Sequence, residues 1–300
     1  MNYLILVLAG VLSGCIVFGG KILALMGASP FEIMLYPSLI GSLVILPFAF
    51  KNLYRLRQIP LSANLLLMFA ISTQVIGQYA PLFMNISVTL VLLLVYLQPV
   101  WTTLIEHFYF HKEVSKLHWL MILCLLVGLV LLIKPWGRIE FNIWGVIMAL
   151  MAGLGLSLWI VITRFFTQKG ITPSVSFWCT CAYPLLPILA VYFGADEFMH
   201  NRSLLNLNFA IGWKLWQSFA VYLLFVYLPA NILVFFGNKD ISAAVIGTIL
   251  LLEPVTGISL DVVFLHFPLS WNVIAGGIVI LVSNIIIIVT KDGTATKRKP

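Results

Sequence analysis

Residues 85–115 read NISVTLVLLLVYLQPVWTTLIEHFYFHKEVS, and residues 240–270 read DISAAVIGTILLLEPVTGISLDVVFLHFPLS. Laid over one another at an offset of 155, the two match without a gap. Ile86/Ile241, Ser87/Ser242, Leu97/Leu252, Pro99/Pro254, Val100/Val255, His111/His266 and Ser115/Ser270 are identical, and Asn85/Asp240, Gln98/Glu253 and Glu106/Asp261 are chemically related. A second match, at an offset of 143, lays GGKILALMGASP (19–30) on ITRFFTQKGITP (162–173), pairing Lys21 with Arg164, Gly27 with Gly170 and Pro30 with Pro173. Gly and Pro at those places suit a helix stop followed by the first turn of the next helix. The chain therefore reads as two related halves.

What each half is made of follows from composition. Of 300 residues, 62% are hydrophobic and 9% charged, and the mean hydropathy is +1.08. Soluble domains carry about 25% charged residues, so this surface is not built for water. A bilayer-spanning helix needs about 20 mostly apolar residues. The sequence predicts ten such spans, at 3–21, 30–50, 62–84, 86–109, 117–134, 142–163, 173–194, 213–236, 241–264 and 270–290. Strands of a membrane barrel alternate polar and apolar side chains, and runs such as MILCLLVGLVLLI (121–133) do not, so the spans are helices. The first span lacks a basic leader and a small-residue cleavage site, which predicts that it is retained.

Ten spans place both termini on one side, together with 12 of the 17 Lys and Arg residues. Positive residues favour the cytoplasmic side. The expected location is a bacterial inner (plasma) membrane, multi-pass, with both termini cytoplasmic. The net charge of +7 is then a topology and headgroup signal, carried partly by the tail 291–300, and nucleic acid is not an expected partner. Lys21 and Arg164, at the ends of their helices, are expected to snorkel to headgroups. Residues 195–212 are too polar to span and are expected to lie along the outer surface. The cysteines (Cys15, Cys124, Cys179, Cys181) show no metal-finger spacing.

An odd number of spans per half places the halves in opposite orientations. The fold expected is an all-α membrane protein of ten transmembrane helices, built as two inverted five-helix repeats, 1–140 and 141–290, around a central cavity. Inverted repeats are a common plan of secondary transporters, with the substrate site near the midplane where the repeats meet. The residues already quoted also carry a family resemblance. The Lys21…Gly27-Ala28-Ser29-Pro30 opening, Pro99-Val100, Glu253-Pro254-Val255 and His111-Lys112-Glu113-Val114-Ser115 together resemble the EamA-type transporters of the drug/metabolite transporter superfamily. The resemblance implies a ten-helix transporter of small metabolites with both termini cytoplasmic. The chain departs from the family pattern at Phe18-Gly19, where a Trp-Gly pair is common, near Tyr36, where an arginine is, and at Phe267-Pro268, where an acid is.

Polar residues inside apolar spans mark candidate sites. Glu253 stands in the middle of the ninth span. Pro254 has no N–H and crowds the carbonyl of residue 250, so a freed carbonyl and a carboxylate make a polar notch. The mirror position holds Gln98-Pro99, the same helix kink with a neutral amide. The functional reading of Glu253 is proton coupling or contact with a cationic substrate group; the structural reading is a carboxylate paired with a neighbouring helix. Gln78 with Tyr79 on the third span, Trp101 beyond Gln98, Trp159 on the sixth and Asn231 on the eighth are candidates for the same lining. Aromatic walls with one acid suit an amine through cation–π attraction, and equally an amino acid. Glu106 and Asp261 are expected as gate contacts or caps. His107 and His111, four apart, lack a third ligand, so neither a metal nor any other cofactor is expected.

The function these readings favour is a secondary transporter, an exporter by preference, moving a small polar metabolite such as an amino acid or amine by alternating access. Proton coupling is open, as is a monomer or a homodimer. No Walker-type glycine loop is present, and catalysis is not expected. The alternative is an intramembrane enzyme acting on a lipid or prenyl substrate, for which paired acids or a nucleophile with a base would be needed.

Overall fold

The computed structural model describes residues 2–109, 111, 114–133, 142–198, 212–237 and 249–295. Among these it is helical throughout, with no strand. In the first half, α1 (Asn2–Leu25), α2 (Pro30–Ala49) and α3 (Leu61–Phe83) are followed by α4 (Val88–Val95), α5 (Gln98–Phe108) and α6 (Lys116–Ile133). The second half contains α7 (Ile143–Gln168), α8 (Pro173–Ala182), α9 (Leu185–Phe198), α10 (Trp213–Val221), α11 (Leu228–Gly237), α12 (Leu252–Leu265) and α13 (Trp271–Ala295). A tight 3-10 stretch, Phe50–Gln58, follows α2, and a π-helical segment, Tyr222–Tyr227, joins α10 to α11.

Among the described residues, eight helical stretches are long and apolar enough to cross a membrane. The fifth expected span is a shorter apolar helix within α6, and the first third of the ninth, 241–248, lies outside the described residues. Four spans are not the continuous helices expected, the ninth among them, with a turn at Leu251. The fourth breaks at Tyr96-Leu97, just ahead of Gln98-Pro99. The seventh breaks at Tyr183-Pro184, where proline withholds an N–H and crowds the preceding turn. The eighth widens into its π segment immediately before Pro229. The last helix continues to Ala295, so the expected tail begins as helix. The rest of that tail, the 134–141 junction between the expected repeats, and 199–211 of the expected surface segment lie outside the described residues.

The two sequence matches have structural echoes. Gly27 and Gly170, equivalent at offset 143, both take positive φ, +98° and +78°, a conformation that glycine enters without steric cost. Ser29 and Thr172 then stand extended before Pro30 and Pro173, each the first residue of its helix. His111 and His266, equivalent at offset 155, both take the left-handed conformation, φ 48° and 53°. The helix breaks also correspond, with turns at Tyr96-Leu97 and at Leu251.

The most extensive packing among the described helices runs between the halves. α1 lies along α10–α11 and α12; α7 lies along α3 and α4–α5; α2 pairs with α8 and α6 with α13. Exchanging the halves maps this set of pairs onto itself. Small residues make the close approaches possible. A Cβ on Gly10 would stand 3.0 Å from Ile249 O and 3.2 Å from Leu252 Cβ; one on Gly153 would stand 2.9 Å from Val95 O. Gly10 and Gly153 are equivalent at offset 143, and each abuts one of the two helix breaks. Helices in lipid gain their association from such packing rather than from a hydrophobic drive.

Candidate functional site

The site is built where α4 and α12 run side by side. Thr89 meets Asp261, Leu92 meets Gly257, and Tyr96 meets Glu253. Residue numbers rise on one helix as they fall on the other, so these two sequence-equivalent segments are antiparallel. α1 closes the other side of α12, with Gly14 against Glu253, Thr256 and Gly257.

Glu253 sits in the first turn of α12, where the unpaired N–H groups of a helix start favour a negative charge. It is half-buried. The Tyr96 hydroxyl lies 3.1 Å from Glu253 Oε2 and 3.1 Å from Leu250 O, and can donate to either. Leu250 O is the carbonyl that the residue at position 254 would bond in an unbroken helix, and Pro254 has no N–H to offer. The notch expected from Glu253-Pro254 is present, with a tyrosine across it. Tyr96 is held in turn by Asn284 of α13, whose Nδ2 donates to Tyr96 O at 2.9 Å. Asn284 is 1% exposed, and its Oδ1 has no hydrogen-bond partner among the described residues.

The other expected lining residues separate into several places. Gln98 donates to Thr102 Oγ1, which bonds Ser157 Oγ; Ser157 in turn donates to Gln98 O at 2.8 Å. The Gln98 side-chain amide is thus tied to its own helix, its backbone carbonyl to α7, and no hydrogen bond among the described residues joins the amide to Glu253. Trp101 stands half-buried beside Gly153. Trp159 donates to Thr180 Oγ1 at 3.1 Å and packs in the apolar cluster around Leu67, Ile71 and Phe166, apart from the one that holds Tyr79 and Tyr96. Asn231 donates to Tyr227 O on its own helix at 2.8 Å. Gln78 is half-buried, with no hydrogen bond among the described residues. Tyr79, within electrostatic range of Glu253, shares a 2.9 Å hydrogen bond with the Tyr222 hydroxyl. The two rings lie on the Gly19-Gly20 pair of α1, where any Cβ would collide with them. Pro254 is buried and Pro99 half-buried.

The expected gate or cap residues are partly described. Asp261 is 2% exposed and accepts from Thr89 N at 2.8 Å and Thr89 Oγ1 at 2.7 Å. It does not snorkel, because a helix of the other half supplies two donors inside the protein. The Glu106 side chain lies outside the described residues. Lys21 does not snorkel to headgroups either: it is half-buried, and its Nζ donates to Leu82 O at 2.7 Å. His107 stands edge-on to Trp119, centroids 5.7 Å apart, and among the described residues no three His, Cys, Asp or Glu side chains group as metal ligands.

Tyr96, Asn284, Thr89 and Tyr222 are the residues that sequence reasoning missed. Two had a signal. Tyr96 is equivalent to Leu251 at the helix break, and Ser283-Asn284 interrupts an otherwise apolar run in the last span.

This geometry belongs to a multi-pass helical membrane protein with a polar break at its centre, and comparison with known proteins narrows the class. Residues 1–134 match the EamA-like transporter family, so the resemblance read from the sequence holds over the first half. An uncharacterized transporter of Clostridium kluyveri is 25% identical over 302 aligned residues, 95% of this chain and 92% of that protein. A protein of known crystal structure shares the fold, with a TM-score of 0.58 at 15% identity, covering 93% of this chain and 96% of that one. The family match and the relative together support a membrane transporter.

Proposed function

We propose that the protein is a secondary transporter that moves a small polar metabolite, an amine or amino acid, by alternating access between two inverted five-helix halves. The observation that carries this reading is the antiparallel pairing of α4 with α12. These segments are equivalent in sequence, and a repeat that inverts across the bilayer requires them to run in opposite directions. Both carry a break before a proline, and α12 presents a half-buried carboxylate at its break. Broken helices with polar groups at the midplane are how such carriers meet a polar cargo. The matched close approaches of Gly10 and Gly153 to the two breaks give the halves two equivalent packings to exchange. The charge distribution favours cytoplasmic termini, and export is the direction preferred.

Glu253 is the residue that engages the cargo's cationic group or a coupling proton. Purified protein in vesicles is expected to catalyse saturable flux of an amine or amino acid, with counterflow. Glu253→Gln is expected to remove the dependence of that flux on a pH gradient while leaving the melting transition cooperative. Flux that follows the gradient equally well in the variant would take Glu253 out of the mechanism; flux linear in solute, without counterflow, would indicate a channel.

A further inference from the structure

The pairing of α4 and α12 has three rungs. Tyr96–Glu253 lies at the helix breaks, Leu92–Gly257 in the middle, and Thr89–Asp261 at the end of the bundle where α1 terminates. The end rung joins residues 172 positions apart in sequence, and it is buried on both sides. We propose that Asp261 and Thr89, with Lys21 beside them, form the gate at that end of the transport path, a latch between the halves that must part for the Glu253 site to open there. The proposal rests on the alternating-access reading above.

Three features favour a latch over a fixed structural cap. First, α4 has a cap of its own. Ser87 Oγ already accepts from Leu90 N, so Asp261 is not needed to start the helix, and its tie to Thr89 can be lost without unravelling α4. Second, every group freed by opening has an alternative partner. The carboxylate, the Thr89 amide and hydroxyl, and the Lys21 ammonium are all well hydrated in water, so a wetted open state satisfies them as fully as the closed one. An apolar seam would have no such compensation. By contrast Glu32, another buried carboxylate, closes a capping box with Ser29 inside its own half.

Third, the latch is coupled to the site by position. Asp261 is eight residues beyond Glu253 on one helix, about 12 Å along its axis. Lys21, near enough to Asp261 to feel its charge, is anchored by Leu82 O at the end of α3, so α1 and α3 of the first half are tied together close to the rung that α4 makes with α12. Parting the Thr89–Asp261 rung separates α4 from α12 toward the Tyr96–Glu253 rung.

Access can be read without knowing the cargo. Gln78 is half-buried and one helical turn inward of Leu82, so Gln78→Cys, in a chain lacking the four native cysteines, reports on the space behind the latch. In oriented vesicles, a membrane-impermeant maleimide applied from the face where α1 ends is expected to label this cysteine about tenfold faster when Asp261→Ala is added, the shift that loss of a charge-assisted tie produces. Labelling from the opposite face is expected to slow. Thr89→Val, which keeps the backbone amide and the side-chain shape, is expected to move both rates the same way by less. Thr89→Ser is expected to leave them near the parent values, and this pair decides the matter should Asp261→Ala fail to fold. Rates unchanged from both faces in Asp261→Ala and Thr89→Val would overturn the latch. So would a cysteine closed to both faces in every variant. Saturable flux with unmoved labelling removes the latch and leaves the transporter. Shifted labelling with no saturable flux of any solute keeps the Thr89–Asp261 latch as a two-state contact between the halves but removes the transport reading, and with it the latch's role as a gate.

Discussion

At the scale of single residues, the centre of the molecule depends on a tyrosine more than on the amide expected there. The Tyr96 hydroxyl serves two acceptors, the carbonyl released by Pro254 and the carboxylate of Glu253. With Tyr96→Phe both lose their donor, and a buried polar group left without a partner costs about 1–3 kcal/mol. The variant is expected to melt lower in detergent by a corresponding margin and to transport less at every solute concentration. A melting temperature equal to the parent's would mean that water satisfies both groups and that Tyr96 is dispensable. Asn284→Leu acts one step further out. It removes the donor to Tyr96 O and fills buried space with a larger apolar group, so a smaller loss is expected, about 1 kcal/mol. The same double duty explains why Tyr96 was not legible in the sequence. A tyrosine in an apolar span reads equally as interfacial anchor or lining, and its partners lie 154 and 157 positions away. Glu253 was legible because an intramembrane acid stands out on cost alone. Gln98, which stood out as its mirror, turns its side-chain amide to Thr102 on its own helix, while Ser157 takes its backbone carbonyl.

At the scale of helices, glycines set how near two elements lie, and different glycines act for different reasons. A Cβ on Gly14 would sit 2.5 Å from Glu253 O and 2.7 Å from Thr256 Cβ. The first obstacle is backbone, so α1 and α12 must separate. Overpacking of this kind costs about 1–3 kcal/mol, and it would also shift the helix that carries the carboxylate. Gly14→Ala is therefore expected to lower both melting temperature and flux. Gly27 has nothing within 4 Å of a built Cβ, but its φ is +98°. Gly27→Ala is expected to cost about 1–2 kcal/mol through backbone conformation alone, with flux per folded molecule unchanged. Equal flux losses in the two variants would contradict this division. Helix number and rough extent could be read in advance because lipid leaves few alternatives to an apolar helix. The breaks were only half legible. Prolines at 99 and 254 stood out because the repeat aligned them with polar neighbours, whereas Pro184 and Pro229 sit in runs where a transmembrane helix can tolerate proline. Their interruptions, at Tyr183 and in the π segment ahead of Pro229, were not marked by a polar neighbour or a repeat partner.

At the scale of the whole molecule, the halves are interleaved rather than adjacent. The principal described helix pairs all join one half to the other, and the glycine approaches at Gly10, Gly14 and Gly153 are made to backbone of the opposite half. A half by itself would leave those seams facing lipid, along with the released carbonyls at its helix break, which hydrocarbon cannot satisfy. Fragments 1–140 and 141–290, produced separately, are therefore expected to insert but to give no cooperative melting transition and no monodisperse species in detergent. Produced together, they are expected to co-purify as one complex and to recover saturable flux, since the junction between them carries none of the contacts described for the site. Should either fragment fold alone and resist exchange into the complex, the halves would be separate domains, and a mechanism in which two interlocked repeats trade packings would lose its basis.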